Sequence, residues 1–220
     1  MMKILLKSIY RCDRIFYTKY REKAHILRIY TPKSEFYLHI EYFLLYFGEI
    51  TVKNTLFERR SIRAYKVDQI KDHELEYVLK AALYAPTGRN FQSTIMVSVQ
   101  DKELLCRLSK MNADIMGTDN DPFYGAPTVV IVFADTSIPT HFEDGCLAMG
   151  NMLNAAYETG LGSCWIHRAR QMFETDEGKA LMKEWGIPEN YVGIGNCILG
   201  YADCETPAPA PRKDGRIIKL

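Results

Sequence analysis

From residue 54 onward the apolar positions recur in two distinct periods. In residues 68–84 (DQIKDHELEYVLKAALY), Leu75, Val78, Leu79, Ala82 and Leu83 share one face at helical spacing. Asp68 or Asp72 can cap the start of this helix, and Pro86 stops it. A second helix is predicted from Asp101 to Lys110, with Leu104, Leu105 and Leu108 inward. A third, long helix from His141 to Thr159 is dotted with Gly145, Ala148, Gly150, Ala155 and Ala156. Core packing is the simpler account of those small residues, and close approach of a flat ligand is the alternative. Thr175 and Asp176 can cap a fourth helix that runs to Trp185, where Gly186 and Pro188 close it.

Four β-rich runs lie between these helices. Thr94 to Val99 is short, and Pro127 to Ala134 (PTVVIVFA) is a continuous apolar run that reads as a central strand buried on both faces. Ser163 to His167 follows the helix-ending Gly160-Leu161-Gly162, and Tyr191 to Tyr201 is the last strand, with glycines where another backbone or a ligand can approach. Helices and strands mix without strict alternation, which predicts an α+β sandwich rather than a doubly wound sheet. No Gly-x-Gly-x-x-Gly run opens a helix after a strand, so a dinucleotide-binding fold is not indicated.

Residues 1–50 are of another kind, with seven tyrosines, four phenylalanines and nine Lys or Arg and no clean period. The expected division is therefore an N-terminal extension, 1–51, and one complete domain, 52–220. The extension is either a start-site artefact, with translation beginning at Val52, or a genuine segment that packs on the domain surface or touches a membrane or partner. No chemistry is assigned to it.

Composition narrows the function classes. The formal net charge of +1 supplies no global field for nucleic acid or a membrane surface. No apolar run approaches the roughly 20 residues of a membrane span. No signal-peptide pattern opens the chain, so the cytoplasm is the expected location. The six cysteines include no Cys-x-x-Cys pair, which predicts buried free thiols rather than a metal site or a disulfide framework. No Ser-His-Asp order or paired carboxylates support hydrolysis.

Two polar constellations remain. Arg59-Arg60-Ser61-Ile62-Arg63 places three guanidiniums and a hydroxyl in five residues, a set that suits a phosphate or, more plainly, a solvated basic turn. Ala85-Pro86-Thr87-Gly88-Arg89-Asn90-Phe91-Gln92-Ser93 ends a helix in a tight turn with amide side chains beside it. Taken with Gly160-Leu161-Gly162-Ser163-Cys164-Trp165-Ile166 and Arg212-Lys213 after a proline-rich arm, these resemble, in order, the signatures of the nitroreductase family. The resemblance runs from about Asn54 to Leu220.

It implies an α+β fold, an α/β sandwich with a mixed central sheet flanked by helices, assembled as an intertwined homodimer with FMN at the interface. By that match Arg59, Ser61 and Arg63 hold the FMN phosphate and the polar edge of the ring, with Arg60 nearby and Arg212 adding a further cation. Pro86, Thr87, Gly88, Asn90 and Gln92 border the ring from the partner subunit, and Trp165, Ile166 and His167 line its other side. His167 is either a proton donor or, more simply, a packing and hydrogen-bonding residue; His73 and His141 read as surface or cap residues. The implied reaction is ping-pong: NAD(P)H reduces the flavin, then a nitroaromatic, quinone or similar conjugated acceptor takes the electrons, with no catalytic side chain and no metal. Flavin dehalogenation or another specialised reaction on the same scaffold, such as flavin fragmentation, and a non-catalytic FMN-binding module are the alternatives. Met111 to Gly125 (MNADIMGTDNDPFYG) is the candidate lid, with Phe123 and Tyr124 able to stack on a flat substrate.

Overall fold

In the computed structural model the chain divides between Val52 and Lys53, and the structure describes residues 54–220. The expectations for residues 1–51 lie outside the described residues. Four strands, β1 (Thr94–Val99), β2 (Thr128–Asp135), β3 (Gly162–Ile166) and β4 (Tyr191–Gly200), form one sheet in the order β1-β2-β4-β3. The helices are α1 (Thr55–Glu58), α2 (Asp72–Leu83), α3 (Lys102–Met116), α4 (His141–Thr159), α5 (Ala169–Glu174) and α6 (Asp176–Glu184).

The central strand organises both halves of the core. Along β2 successive side chains alternate between faces. Val129, Ile131 and Phe133 enter the cluster built with α3, α5 and α6, whereas Val130, Val132 and Ala134 enter the cluster built with α2 and α4. All six are fully buried, which is why the run is apolar at every position instead of at every second one. The named strands pair antiparallel throughout, and the parallel element expected of a mixed sheet is confined, among the described residues, to one rung, Ser61 on Ser163.

Several local expectations change. Helix α2 starts at Asp72 with Lys71 as its cap residue, and Lys71 N donates to Glu74 Oε2 at 2.9 Å; neither Asp68 nor Asp72 caps it. Its buried stripe is Leu75, Val78, Leu79 and Ala82, and Leu83, at the margin of that stripe, is 64 % exposed. Helix α3 runs to Met116 before Gly117 ends it in the left-handed region at φ 67°. Met111, Asn112 and Ala113 are thus buried helix residues rather than lid. Phe123 is only 3 % exposed and packs in the core, leaving Tyr124 as the exposed aromatic of the shortened segment. Short α5, which sequence periodicity did not predict, completes the second layer with Ala169, Met172 and Phe173. The thiols divide: Cys164 and Cys197 are buried as expected, while Cys106 and Cys204 are exposed.

Glu74 ties α2 to the end of β4 by accepting from Tyr201 Oη at 2.7 Å. Burial pushes its carboxyl up. The bonds from Tyr201 and the Lys71 backbone, helped by the Lys71 and His73 charges, outweigh that and leave its pKa below the ordinary value of 4.5. A depressed folded-state pKa contributes stability that is present above the unfolded value and lost as pH falls through the folded one. Melting temperature is therefore expected to fall as pH drops below about 4.5, and Glu74→Gln should flatten that part of the profile. An identical acid limb in the variant would assign the effect to other carboxylates.

Candidate active site

The arginine segment is held along the exposed edge of β3. Ile62 N donates to Ser163 O at 3.0 Å, Tyr65 Oη to Ile62 O at 2.7 Å, and Lys66 N to Tyr201 O at 2.9 Å. These bonds place Arg59 and Arg60 beside Gly162 and Ser163 around a cavity of about 170 Å³, with Thr206 at the root of the C-terminal arm on its rim. Among the described residues no acidic side chain lines the cavity. Arg60 is partly committed, since Nη1 donates to Phe57 O at 2.8 Å and Arg59 O at 2.7 Å, but its Nε is buried without a partner. Arg59 and Arg63 have no acidic partner among the described residues. The fully buried Cys197 thiol is pushed up by burial, then by Cys164, and the positive charge of Arg59 opposes that shift.

The second segment is a strained turn. Gly88–Asn90 form a 3-10 turn, and Arg89, Asn90 and Gln92 have φ of 49°, 58° and 50°, three non-glycine residues in the left-handed region. Asp144, 2 % exposed on α4, holds the turn: Oδ1 accepts from Gly88 N at 2.9 Å, and Oδ2 from Ser93 Oγ at 2.9 Å and Thr140 Oγ1 at 3.2 Å. A side chain at Gly88 would run into Thr140, so this position needs glycine. Within the turn Thr87 Oγ1 accepts from Gln92 N at 3.1 Å, and Asn90 and Gln92 are exposed. No bond joins this turn to the Arg59–Arg63 segment among the described residues, and neither cavity is lined by both.

The third segment is the end of β3. Trp165 Nε1 is buried without an acceptor, and the indole occupies the space that a side chain at Gly195 would need. Ile166 packs in the core, and its carbonyl accepts from Asn196 Nδ2 at 3.3 Å. His167 is exposed, and with Arg168, His141, Phe142 and Gly193 it lines a second cavity of about 300 Å³, to which no acidic side chain among the described residues contributes. Beneath it Asn112 and Asn196, both 0 % exposed, donate to His167 O, and each leaves Oδ1 buried without a partner. A buried acceptor left unpaired costs about 1–3 kcal/mol. Arg212 donates from Nε and Nη2 to Ala210 O at 3.0 and 2.6 Å within the exposed arm, so the structure does not carry it into the cavity.

Asp144, Asn112 and Asn196 were not singled out from the sequence. The available signal was a polar residue at an inward position: Asp144 is one turn before Ala148 on the buried face of α4, and Asn196 interrupts an otherwise apolar strand.

The model of the nitroreductase family matches residues 56–118 and 114–201. The chain belongs to the nitroreductase family. Among relatives of this nitroreductase-family chain, an Archaeoglobus fulgidus protein with the provisional name NADH dehydrogenase/NAD(P)H nitroreductase is 34% identical over 152 residues, 66% of this chain and 82% of the relative. An iodotyrosine deiodinase of Thermotoga neapolitana is 31% identical over 126 residues, 48% of this chain and 68% of the deiodinase. The crystal structure of a nitroreductase with bound FMN from Bacteroides fragilis superposes with a TM-score of 0.69 at 28% identity, covering 76% of this chain and 96% of that one. The family fold is accordingly the α+β fold described above.

Proposed function

We propose that residues 52–220 form an FMN-dependent oxidoreductase that uses NAD(P)H to reduce nitroaromatic, quinone or similar conjugated acceptors by ping-pong hydride transfer. The observation that carries this reading is the cavity beside Ser163, where, among the described residues, no acidic side chain forms the lining, Arg59 has no acidic partner and Arg60 Nε has no acceptor. Unpaired guanidiniums next to a sheet edge fit a phosphate, which accepts bidentate, charge-assisted bonds. The B. fragilis nitroreductase, 28% identical, contains FMN, and the name of the A. fulgidus relative includes NAD(P)H nitroreductase.

On this reading Arg59, Ser61 and Arg63 hold the phosphate and the polar edge of the ring. Arg60 braces the turn through Phe57 O and Arg59 O and turns Nε to the cavity. Arg212 adds a cation once the arm folds over the site. Pro86, Thr87, Gly88, Asn90 and Gln92 serve the cofactor of a second subunit, which agrees with their lack of any bond to the arginine segment in one chain. Exposed Leu83, Tyr84, Phe91, Phe142 and Leu147 supply apolar surface for such a homodimer. Trp165, the Ile166 backbone and His167 shape the reactive side and exclude water from it. FMN, when bound, accepts hydride from the nicotinamide and returns electrons to the acceptor. The protein's part is orientation and electrostatics, and no side chain acts as nucleophile.

The likeness to the T. neapolitana deiodinase favours a second reading, flavin dehalogenation. Buried Phe123 leaves Tyr124 alone to cover a substrate ring from the 117–125 segment, which supports the generalist reductase. A cytoplasmic location belongs to the same reading, in keeping with five unpaired cysteines among the described residues and no described helix long and apolar enough to cross a membrane. The test is the visible spectrum. Purified protein should be yellow, bleached anaerobically by NADH or NADPH, and restored by a quinone. A colourless chain that cannot be loaded with FMN would end the proposal; recovery of colour by a halotyrosine and not by a quinone would favour the dehalogenase.

A further inference from the structure

The backbone between β3 and α5 is anchored by two buried amides. Asn112 Nδ2 on α3 donates to His167 O at 2.7 Å, and Asn196 Nδ2 on β4 donates to the same oxygen at 3.4 Å and to Ile166 O at 3.3 Å. A carbonyl oxygen has two lone pairs, so the two side chains occupy both. Each amide turns its NH2 group to this task and leaves Oδ1 buried without a partner. Two orphaned acceptors in one small network are unfavourable for folding, and a leucine of similar volume would avoid both. Set against the donors they supply to His167 O and Ile166 O, net stability does not explain why two amides, each leaving Oδ1 unpaired, serve one carbonyl.

Backbone geometry does. The chain has no cis peptide bond among the described residues, and in a planar trans peptide the C=O and N–H point in opposite directions. Anchoring His167 O inward therefore turns the N–H of Arg168 outward, to the side on which His167 and Arg168 line the 300 Å³ cavity. That N–H has no acceptor among the described residues. Arg168 sits at φ 76°, a conformation unfavourable for a residue with a side chain. Rotating the 167–168 peptide about its flanking bonds would relieve that strain, and the two asparagines oppose the rotation.

We infer that Asn112 and Asn196 are positioning residues that lock the 167–168 peptide with its N–H facing the cofactor, so that a fixed backbone dipole sets the electron affinity of the bound flavin. The inference rests on the FMN reading above. The positive end of an amide dipole beside the ring stabilises the electron-rich reduced form more than the oxidised one. Freeing the peptide should lower the reduction potential.

The experiment is the midpoint potential of the FMN-loaded full chain, wild type against Asn112→Leu/Asn196→Leu and each single variant. The double variant is expected to lose about tenfold in its preference for reduced over oxidised flavin, a fall of about 30 mV for a two-electron couple. Its affinity for oxidised FMN should change less than about threefold, because the phosphate contacts are untouched, and its melting temperature should change little, because the two orphaned acceptors removed offset the donors lost to His167 O and Ile166 O. Each single variant keeps one anchor and should lose about twofold in that preference, a smaller but measurable fall of about 10 mV. A folded, flavin-loaded double variant with the wild-type potential overturns the inference and leaves the FMN reading standing. If the double variant does not fold, unchanged potentials in both single variants overturn it equally. A wild-type chain that takes up no FMN removes the reading and the inference together.

Discussion

Replacing Arg59 and Arg63 together by alanine is expected to weaken FMN binding by roughly 10²–10⁴-fold while leaving the melting temperature of the flavin-free protein nearly unchanged. The size follows from two charge-assisted hydrogen-bonding groups at about 1.5–3 kcal/mol each, with a factor of ten for every 1.4 kcal/mol. The indifference of the apo protein follows from the structure: neither guanidinium has an acidic partner among the described residues, so no ion pair is broken when they leave. Lysine at both positions keeps the charge but loses the planar fork, and should fall between wild type and alanine. Arg60→Ala should behave in the opposite way. Its bonds to Phe57 O and Arg59 O fix the turn, so its loss should appear in stability before affinity. Titrating apo protein into FMN and following flavin fluorescence measures all three. A weakening of less than about threefold in the double variant would mean that the phosphate is held elsewhere.

Most of the framework could be read from the order of residues because the physics that sets it is local. Helix α4 has the boundaries its pattern indicates, since Gly160 at φ 86° ends it where a residue with a side chain would be strained. The all-apolar run of β2 could be read as buried on both faces because each of its faces meets a helical layer. What could not be read depends on partners distant in sequence. The continuation of α3 to Met116 rests on Met111, Asn112 and Ala113 finding places in the core, and a polar-looking segment with glycine suggested a lid instead. Phe123 looked like a stacking residue because its neighbours are polar, but it fills the core beside Val129 and Leu108.

The candidate site divides along the same line. Arg59-Arg60-Ser61-Ile62-Arg63 was visible as a cluster because its members are adjacent. Its docking on Ser163 across about a hundred residues was not, and that docking is what sets it beside Gly162. The same limit hid Asp144, Asn112 and Asn196, each an ordinary polar residue until its bonds to Gly88, Ser93 and His167 are seen. The turn at 86–92 and the arginine segment remain apart within one chain although both belong to one signature set. On the proposed reading both segments serve one cofactor, so the turn would come from a second copy, and this is the physical content of the proposed dimer.

Asp144→Ala should have the largest effect on stability of any substitution near the site, about 3–5 kcal/mol, or a fall in melting temperature on the order of 10 °C. The carboxylate is 2 % exposed and accepts from three donors, Gly88 N, Ser93 Oγ and Thr140 Oγ1. Alanine removes the acceptor from all three donors, among them the buried Ser93 hydroxyl, and the cost of an unmade buried bond exceeds the value of the bond itself. Asp144→Asn separates charge from connectivity. Its Oδ1 still accepts from Gly88 N, and its NH2 can donate to the hydroxyl oxygens of Ser93 and Thr140, which accept as readily as they donate. That variant should lose only about 1–2 kcal/mol. Function should follow the turn, not the charge. With Asp144 gone nothing else among the described residues bonds Gly88 N, and the left-handed conformations of Arg89, Asn90 and Gln92 are free to relax. FMN affinity should therefore fall in the alanine variant even at temperatures where it is fully folded, and recover in the asparagine variant. Calorimetry of the apo proteins with FMN titrations at 10–15 °C below each transition separates the two effects. An alanine variant that melts within about 2 °C of wild type would mean that water satisfies the three donors, and that the turn owes its shape to its own residues.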